Sequence, residues 1–157
     1  MQSESVQTKS ASLKELRFSP ASPVDIDRLV ALKIAVMRGE LERLGRYTPE
    51  RARDRFLAGF SPHATRLINI DGDFAGCVTV HDRGDHIEIE HLYLPPESQG
   101  AGLGRRVMER LMKEAAAAAK PIRLTVLNGS PANRFYKRLG FVETNRDAID
   151  INYVWTA

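Results

Sequence analysis

The chain contains one cysteine, Cys77, one tryptophan, and no apolar run near the roughly 18 residues that a membrane span requires. A single cysteine excludes an internal disulfide framework and any multi-cysteine zinc or iron–sulfur site. Its four histidines show no metal-ligand spacing, so no metal is expected. Neither sign of charge dominates: 23 Lys and Arg stand against 20 Asp and Glu, a net +3. Acids are spread through the chain, with Asp85, Glu88 and Glu90 in its central part, which argues against a nucleic-acid-binding face. Neither a nucleic acid nor a membrane is therefore an expected partner. Met1 to Ser12 lack the basic start and apolar core of a secretory signal, and Gln2 stands where an acyl anchor needs Gly. Residues 1–12 read as a disordered tail, and the lack of an export signal or disulfides points to the cytoplasm.

What remains, residues 13–157, has the composition of one globular domain: 43% hydrophobic and 27% charged. Leu13 to Phe18 can form an opening strand. The Ser19–Pro23 segment breaks it, and Asp25 is a cap for a helix to about Leu44. That helix has apolar residues at Ile26, Leu29, Val30, Ile34, Met37, Leu41 and Leu44, a spacing of three and four. Thr48-Pro49 starts a second helix, Thr as cap and Pro at the first position, ending near Gly59. The period then changes to two. Arg66–Ile70 and Phe74–Val80 flank Asp71-Gly72, a hairpin signal. Ile87 to Leu94 alternates until near His91 and then becomes more apolar, which is compatible with a bulge. A helix to about Ala119 carries Leu103, Val107, Leu111 and Ala115 in one stripe. Ile122–Leu127 reads as a buried strand, Ala132–Leu139 as a short helix, and Phe141–Thr144 and Ile149–Trp155 as closing strands. The result is one α+β domain.

The segment Leu92 to Arg106 carries the most chemistry. A strand runs into Gln99-Gly100-Ala101-Gly102-Leu103-Gly104, and those glycines open a helix. Glycine lets a backbone approach a ligand closely, and free N–H groups at a helix N-terminus favour an anion. Arg105 and Arg106 add positive charge, so a phosphate or pyrophosphate is the natural guest. The Walker loop is excluded, because Gly104 is followed by Arg105-Arg106 rather than Lys-Ser/Thr. The dinucleotide fingerprint is excluded too, because position 105 is Arg rather than Gly.

Gln99-x-x-Gly102-x-Gly104 resembles the Q/R-x-x-G-x-G/A motif of the GNAT N-acetyltransferase superfamily. Leu94-x-Pro96-Glu97 before it is similar to the family's approach to that loop. Ser130-Pro-Ala-Asn-Arg-Phe-Tyr-Lys-Arg-Leu-Gly-Phe141 resembles a second family segment, N-P-A-x-x-F-Y-x-x-L-G-F, with Ser130 in place of the leading Asn. The resemblance implies one GNAT-like domain, a mixed central sheet of about six to seven strands flanked by about four helices. It implies acyl transfer from acetyl-CoA, as the acyl-donor co-substrate, to an amine of a small molecule or protein, by a monomer or homodimer. The alternative is a non-catalytic acyl-CoA-binding sensor module on the same fold. By similarity, the loop Gln99, Gly100, Ala101, Gly102, Leu103, Gly104 and Arg105 would hold the CoA pyrophosphate. Backbone groups of Leu92, Tyr93 and Leu94 would pair with pantetheine like an added strand. The contact usually made by the missing Asn would pass to Ser130, Asn128 or Asn133.

An ammonium cannot attack a thioester, so a base is needed. Glu88 and Glu90 share one side of the strand that feeds the loop. Glu88 matches the family position and is the first choice, Glu90 the second, with His91 and His86 as further alternatives. Tyr136 matches the tyrosine that protonates the leaving thiolate; a phenol with an ordinary pKa of about 10 carries its proton at neutral pH. By family analogy the acceptor pocket would draw on Met37, Arg38, Glu40, Leu41, Arg46, Tyr47, Tyr153 and Trp155.

Overall fold

The computed structural model describes residues 14–157. The segment read as a tail, and Leu13 at the head of the expected first strand, lie outside the described residues. Seven strands and four helices follow: β1 (Leu16–Pro20), α1 (Ile26–Arg43), α2 (Pro49–Gly59), β2 (Thr65–Ile70), β3 (Asp73–Asp82), β4 (Ile87–Tyr93), α3 (Leu103–Ala117), β5 (Ile122–Leu127), α4 (Ala132–Arg138), β6 (Val142–Arg146) and β7 (Asp150–Trp155). The strands form one mixed sheet in the order β1-β2-β3-β4-β5-β7-β6. Every neighbouring pair is antiparallel except β4 and β5.

Local chemistry explains the boundaries. The β2–β3 hairpin turns on Asp71 and Gly72, both at positive φ (50° and 86°), the pairing that matches the twist of the flanking strands. Thr48 Oγ1 accepts the Arg51 N–H at 3.0 Å and Pro49 occupies the first helical position, as the sequence predicts for α2. The start of α1 differs from the expectation of an Asp25 cap. Pro23–Asp25 form a 3-10 turn, and Asp25 accepts the Ser22 N–H at 2.9 Å rather than capping the helix after it. The short polar side chain serves the turn that the proline imposes.

Two apolar layers cover the sheet. On one face α3 buries Leu103, Val107, Met108, Leu111 and Ala115 against Ile89, Val78, Ile122 and Leu124, with Phe135 and Tyr136 of α4 beside them. Each fully buried side chain of this size contributes about 1.5–3 kcal/mol. On the other face Leu29, Val30 and Leu32 of α1 and Phe56 of α2 pack on Cys77 and Tyr93.

Two irregularities shape β4. Against β3, Cys77 pairs with Tyr93 but Thr79 pairs with Glu90, so β4 carries an extra residue, and His91 sits there at φ 52°. Side-chain parity therefore changes: Ile87 and Ile89 face the α3 layer before the bulge, Leu92 and Leu94 after it. Against β5, β4 keeps register at only Ile87↔Ile122 and Glu88↔Arg123. Beyond Glu88 the two strands part. A bulge increases local twist and bends its strand, which is the physical basis for that divergence.

Candidate active site

The parted strands leave the second half of β4 with backbone groups that β5 does not pair. Leu92, Tyr93 and Leu94 lie on this stretch, which runs through a Pro96–Ser98 turn into the glycine loop. Gln99 ties the loop back: its Nε2 donates to the Leu94 carbonyl at 2.8 Å. Gly100 and Gly102 both hold positive φ (82° and 77°), and a Cβ at either would meet nothing within 4 Å. The glycines are needed for backbone conformation, and the surface over them is open. Gly102 is the N-cap of α3 with no side-chain cap, so the first N–H groups of α3 stay available. Ala101 is exposed and Leu103 is buried in the core. Gly104 differs from the first two glycines: it packs on the neighbouring helix, where a Cβ would lie 3.4 Å from the Phe135 ring. The cradle fits a phosphate group.

The two arginines after the loop have separate positions. Arg105 remains on the exposed start of α3, 3.3 Å from Glu109. Arg106 does not add charge to the loop as expected; its Nη2 donates to the Lys14 carbonyl at 2.6 Å on the β1 side. Helical spacing turns adjacent residues about 100° apart, so two neighbouring arginines do not share a target.

At the head of α4, Ser130 Oγ accepts the Ala132 N–H at 3.1 Å and keeps its own proton to donate. Asn133 gives both amide protons to backbone carbonyls, Leu127 and Ser130, each at 2.9 Å, and its Oδ1 accepts the Tyr153 hydroxyl at 2.6 Å. It has no donor left for a ligand. Asn128 donates to the Asp147 carbonyl at 2.9 Å. Tyr136 packs edge-on against Phe135 and Phe141 (ring centroids 5.0 and 5.6 Å), and burial pushes its phenol above the ordinary value.

The carboxylates differ more than their spacing suggests. Glu88 stands where β4 and β5 are still paired, and its Oε1 accepts from Arg83 at 2.7 and 3.0 Å. Glu90 lies beyond that point, on the same face, with Oε1 2.9 Å from His81 Nε2. Its side chain is 36% exposed and that of His81 13%. Gly59, the last residue of α2, abuts it: a Cβ there would stand 2.3 Å from Glu90 Oε1. Lys33 of α1, which the apolar pattern of that helix had left out, is buried on this face. Desolvation, with help from Arg55 and against the pull of Glu90, holds it down at about 8. Burial first, then Lys33, Arg55 and His81, push His91 down to about 3. His86 lies away on the β3–β4 turn, 2.6 Å from Asp85.

The proposed acceptor-pocket residues divide. Met37 belongs to the α1 side of the sheet, and Arg38 stacks on Tyr47 with its guanidinium 4.9 Å from the ring centre. Tyr153 and Trp155 belong to the opposite apolar layer instead, where Tyr153 is 1% exposed. A residue not singled out in the sequence, Arg43, spans from the end of α1 to the Asn128 carbonyl at 2.6 Å, next to Gly129, where a Cβ would stand 3.0 Å from it. No periodic signal marks such a contact. A cavity of about 530 Å³ is lined by Leu111, Glu114 and Ala115 in the later part of α3, far along the helix from the glycine loop, and by His81 and Arg83 at the end of β3.

The model of the acetyltransferase (GNAT) family matches residues 34–141, more than half of the chain. The chain belongs to the GNAT acetyltransferase family. An uncharacterised N-acetyltransferase of Schizosaccharomyces pombe is 34% identical over 89 residues, 53% of this chain and 55% of that protein. The chain thus spans about half the length of the curated relative it matches. Among solved structures, a protein of Pyrococcus horikoshii OT3 superposes with TM-score 0.72 at 15% identity, covering 91% of this chain and 99% of that one. The PaiA N-acetyltransferase of Thermoplasma acidophilum, solved with coenzyme A, superposes with TM-score 0.71 at 16% identity over 91% of this chain and 99% of that one. The ribosomal-protein-S18-alanine N-acetyltransferase of Escherichia coli gives 0.69 at 17% identity over 90% and 94%. At these identities the likeness is one of fold. This GNAT domain accordingly has the single mixed sheet of seven strands with four helices that the motifs imply. Among the described residues of the GNAT chain, no helix is long and apolar enough to cross a membrane.

Proposed function

We propose that the protein transfers an acetyl group from acetyl-CoA to an amine, and that the residues doing so line the parted end of β4. The observation that carries this reading is the continuity of an unpaired strand edge with an open, doubly left-handed glycine loop at the start of α3. An unpaired edge offers backbone pairing to the amide-rich pantetheine arm, and free helix N–H groups suit the pyrophosphate. Ser130, with its remaining hydroxyl proton, is better suited than Asn133 to donate to the same arm.

Acetyl-CoA supplies an activated thioester. Glu90, alone or through a water, takes a proton from the acceptor ammonium; the freed amine forms the new C–N bond as the C–S bond breaks; Tyr136 gives its proton to the departing thiolate, and the second proton shed by the amine nitrogen returns to the phenolate. Glu90 is favoured over Glu88 because the Arg83 ion pair occupies Glu88 at the closed end of the strand pair. The phenol of Tyr136 carries its proton at neutral pH and so has one to give. With a single buried cysteine and no second one to form an internal disulfide, the chain suits a reducing compartment such as the cytoplasm.

The test is a panel of primary amines, aliphatic, aromatic and peptidic, incubated with acetyl-CoA and followed by release of free thiol. Amine-dependent thiol release and an acetylated product support transfer. Tight acetyl-CoA binding with no turnover on any amine would make the chain a binding module instead.

A further inference from the structure

His91 is the one residue of β4 at positive φ, and it is neither Gly nor Asn, the residues that adopt this conformation at least cost. Something must hold it there. Its Nδ1 lies 2.7 Å from the Tyr93 hydroxyl, two residues further along. Its ring also packs on Phe56 of α2, with ring centroids 5.0 Å apart. Its own carbonyl accepts from Cys77 Sγ at 3.5 Å. Opposite, Gly76 of β3 holds φ 149°, and a Cβ there would stand 2.4 Å from the Tyr93 carbonyl, so β3 presses directly on the backbone that follows the bulge.

We propose that His91 is a positioning residue: its imidazole, clamped between Tyr93 and α2, fixes the aim of the β4 bulge and so of the backbone N–H groups beyond it that β5 leaves unpaired, against which the thioester carbonyl of acetyl-CoA would lie. The inference rests on the acetyl-CoA reading of the site. A neutral ring carries one donor and one acceptor. With the proton on Nε2, Nδ1 accepts from the Tyr93 hydroxyl, which ties the ring to the backbone two residues beyond the bulge. Tyr93 is buried on the α1 face, so the clamp couples the bulge to the packing of α1 and α2. Displacement of either helix by an acceptor would reach the bulge through this ring.

The prediction concerns discrimination between two ligands. Acetyl-CoA has the carbonyl oxygen; S-ethyl-CoA, a thioether, lacks it and keeps every other group. In calorimetry the wild-type protein is expected to prefer acetyl-CoA. His91→Gly removes both the clamp and the backbone strain, and Tyr93→Phe removes only the clamp's hydroxyl. Each should lose about three- to tenfold of that preference, the scale of one hydrogen bond, with S-ethyl-CoA binding changed less than about twofold. His91→Asn, which tolerates positive φ and places an amide near the Nδ1 position, should restore most of it. An unchanged ratio in both His91→Gly and Tyr93→Phe overturns the proposal, as does an equal loss for both ligands. Should His91→Gly fail to fold, Tyr93→Phe decides alone. Failure of the wild type to bind either ligand would instead overturn the acetyl-CoA reading.

Discussion

Oε1 of Glu90 lies 2.9 Å from Nε2 of His81, across the β3–β4 pair and past the point where β4 and β5 part. Glu88, two residues earlier, is held by Arg83 at the closed end. Glu90→Gln is therefore expected to lower the rate about a hundredfold at neutral pH, with partial recovery at high pH where amines deprotonate unaided. Glu88→Gln should give the wild-type pH profile with a small uniform drop. Steady-state kcat/KM across pH distinguishes them. The reverse pattern would return the base role to Glu88.

Gly59 sets where the Glu90 carboxylate can lie. Adding one methyl group at Gly59 puts a Cβ 2.3 Å from Glu90 Oε1, and the flexible carboxylate, not the helix, must yield. Gly59→Ala should leave the melting temperature nearly unchanged and reduce kcat, with acetyl-CoA affinity intact. A thermal shift assay beside initial-rate kinetics checks this. An unchanged kcat would show that the carboxylate position is not critical.

Gly102→Asp puts a carboxylate, on a residue held at φ 77°, over the start of α3. Like charge then opposes the pyrophosphate at the helix terminus that should attract it. Acetyl-CoA affinity should fall at least about tenfold in calorimetry, an effect equivalent to 1.4 kcal/mol. Equal affinity in mutant and wild type would remove the loop from the binding site.

Tyr136→Phe keeps the ring that packs on Phe135 and Phe141 and deletes only the hydroxyl. Turnover should fall by roughly ten- to a thousandfold, while acetyl-CoA binding stays within experimental error of wild type. Equal turnover excludes Tyr136 from the chemistry and leaves the family assignment untouched.

Acid should weaken the fold through His91. Its ordinary value of 6.5 falls to about 3 in the folded protein. Between these two values the unfolded chain binds a proton that the folded chain does not, so stability rises with pH across that window. The contribution is complete above pH 6.5 and is lost as pH falls toward 3. Its slope reaches about 1.4 kcal/mol per pH unit. Melting temperatures measured between pH 4.5 and 7 should decline more steeply in wild type than in His91→Asn. Parallel curves would show that His91 is not kept neutral.

Much of the molecule is determined by short-range pattern. Alternation and helical spacing place most strands and helices, because a buried face must repeat at the period of its element. Asp71-Gly72 specifies its hairpin, and the glycines at 100 and 102 mark backbone that only they adopt readily. Even the bulge leaves a trace: the apolar series Ile87, Ile89, Leu92, Leu94 changes parity at His91. The tertiary structure decided the rest, through contacts between residues distant in the chain. Glu88 and Glu90 share a face and a residue type, and only Arg83 and His81 on the neighbouring strand and turn give them different partners. Lys33 is buried, and Gly59 touches Glu90, because two helices cross the sheet at that place. Tyr153 and Trp155 fall on the opposite face from Met37, since a strand's alternation fixes two faces but not which of them a site occupies. Periodicity reports burial within one element. A site is made where several elements meet, and that depends on packing that no local pattern encodes.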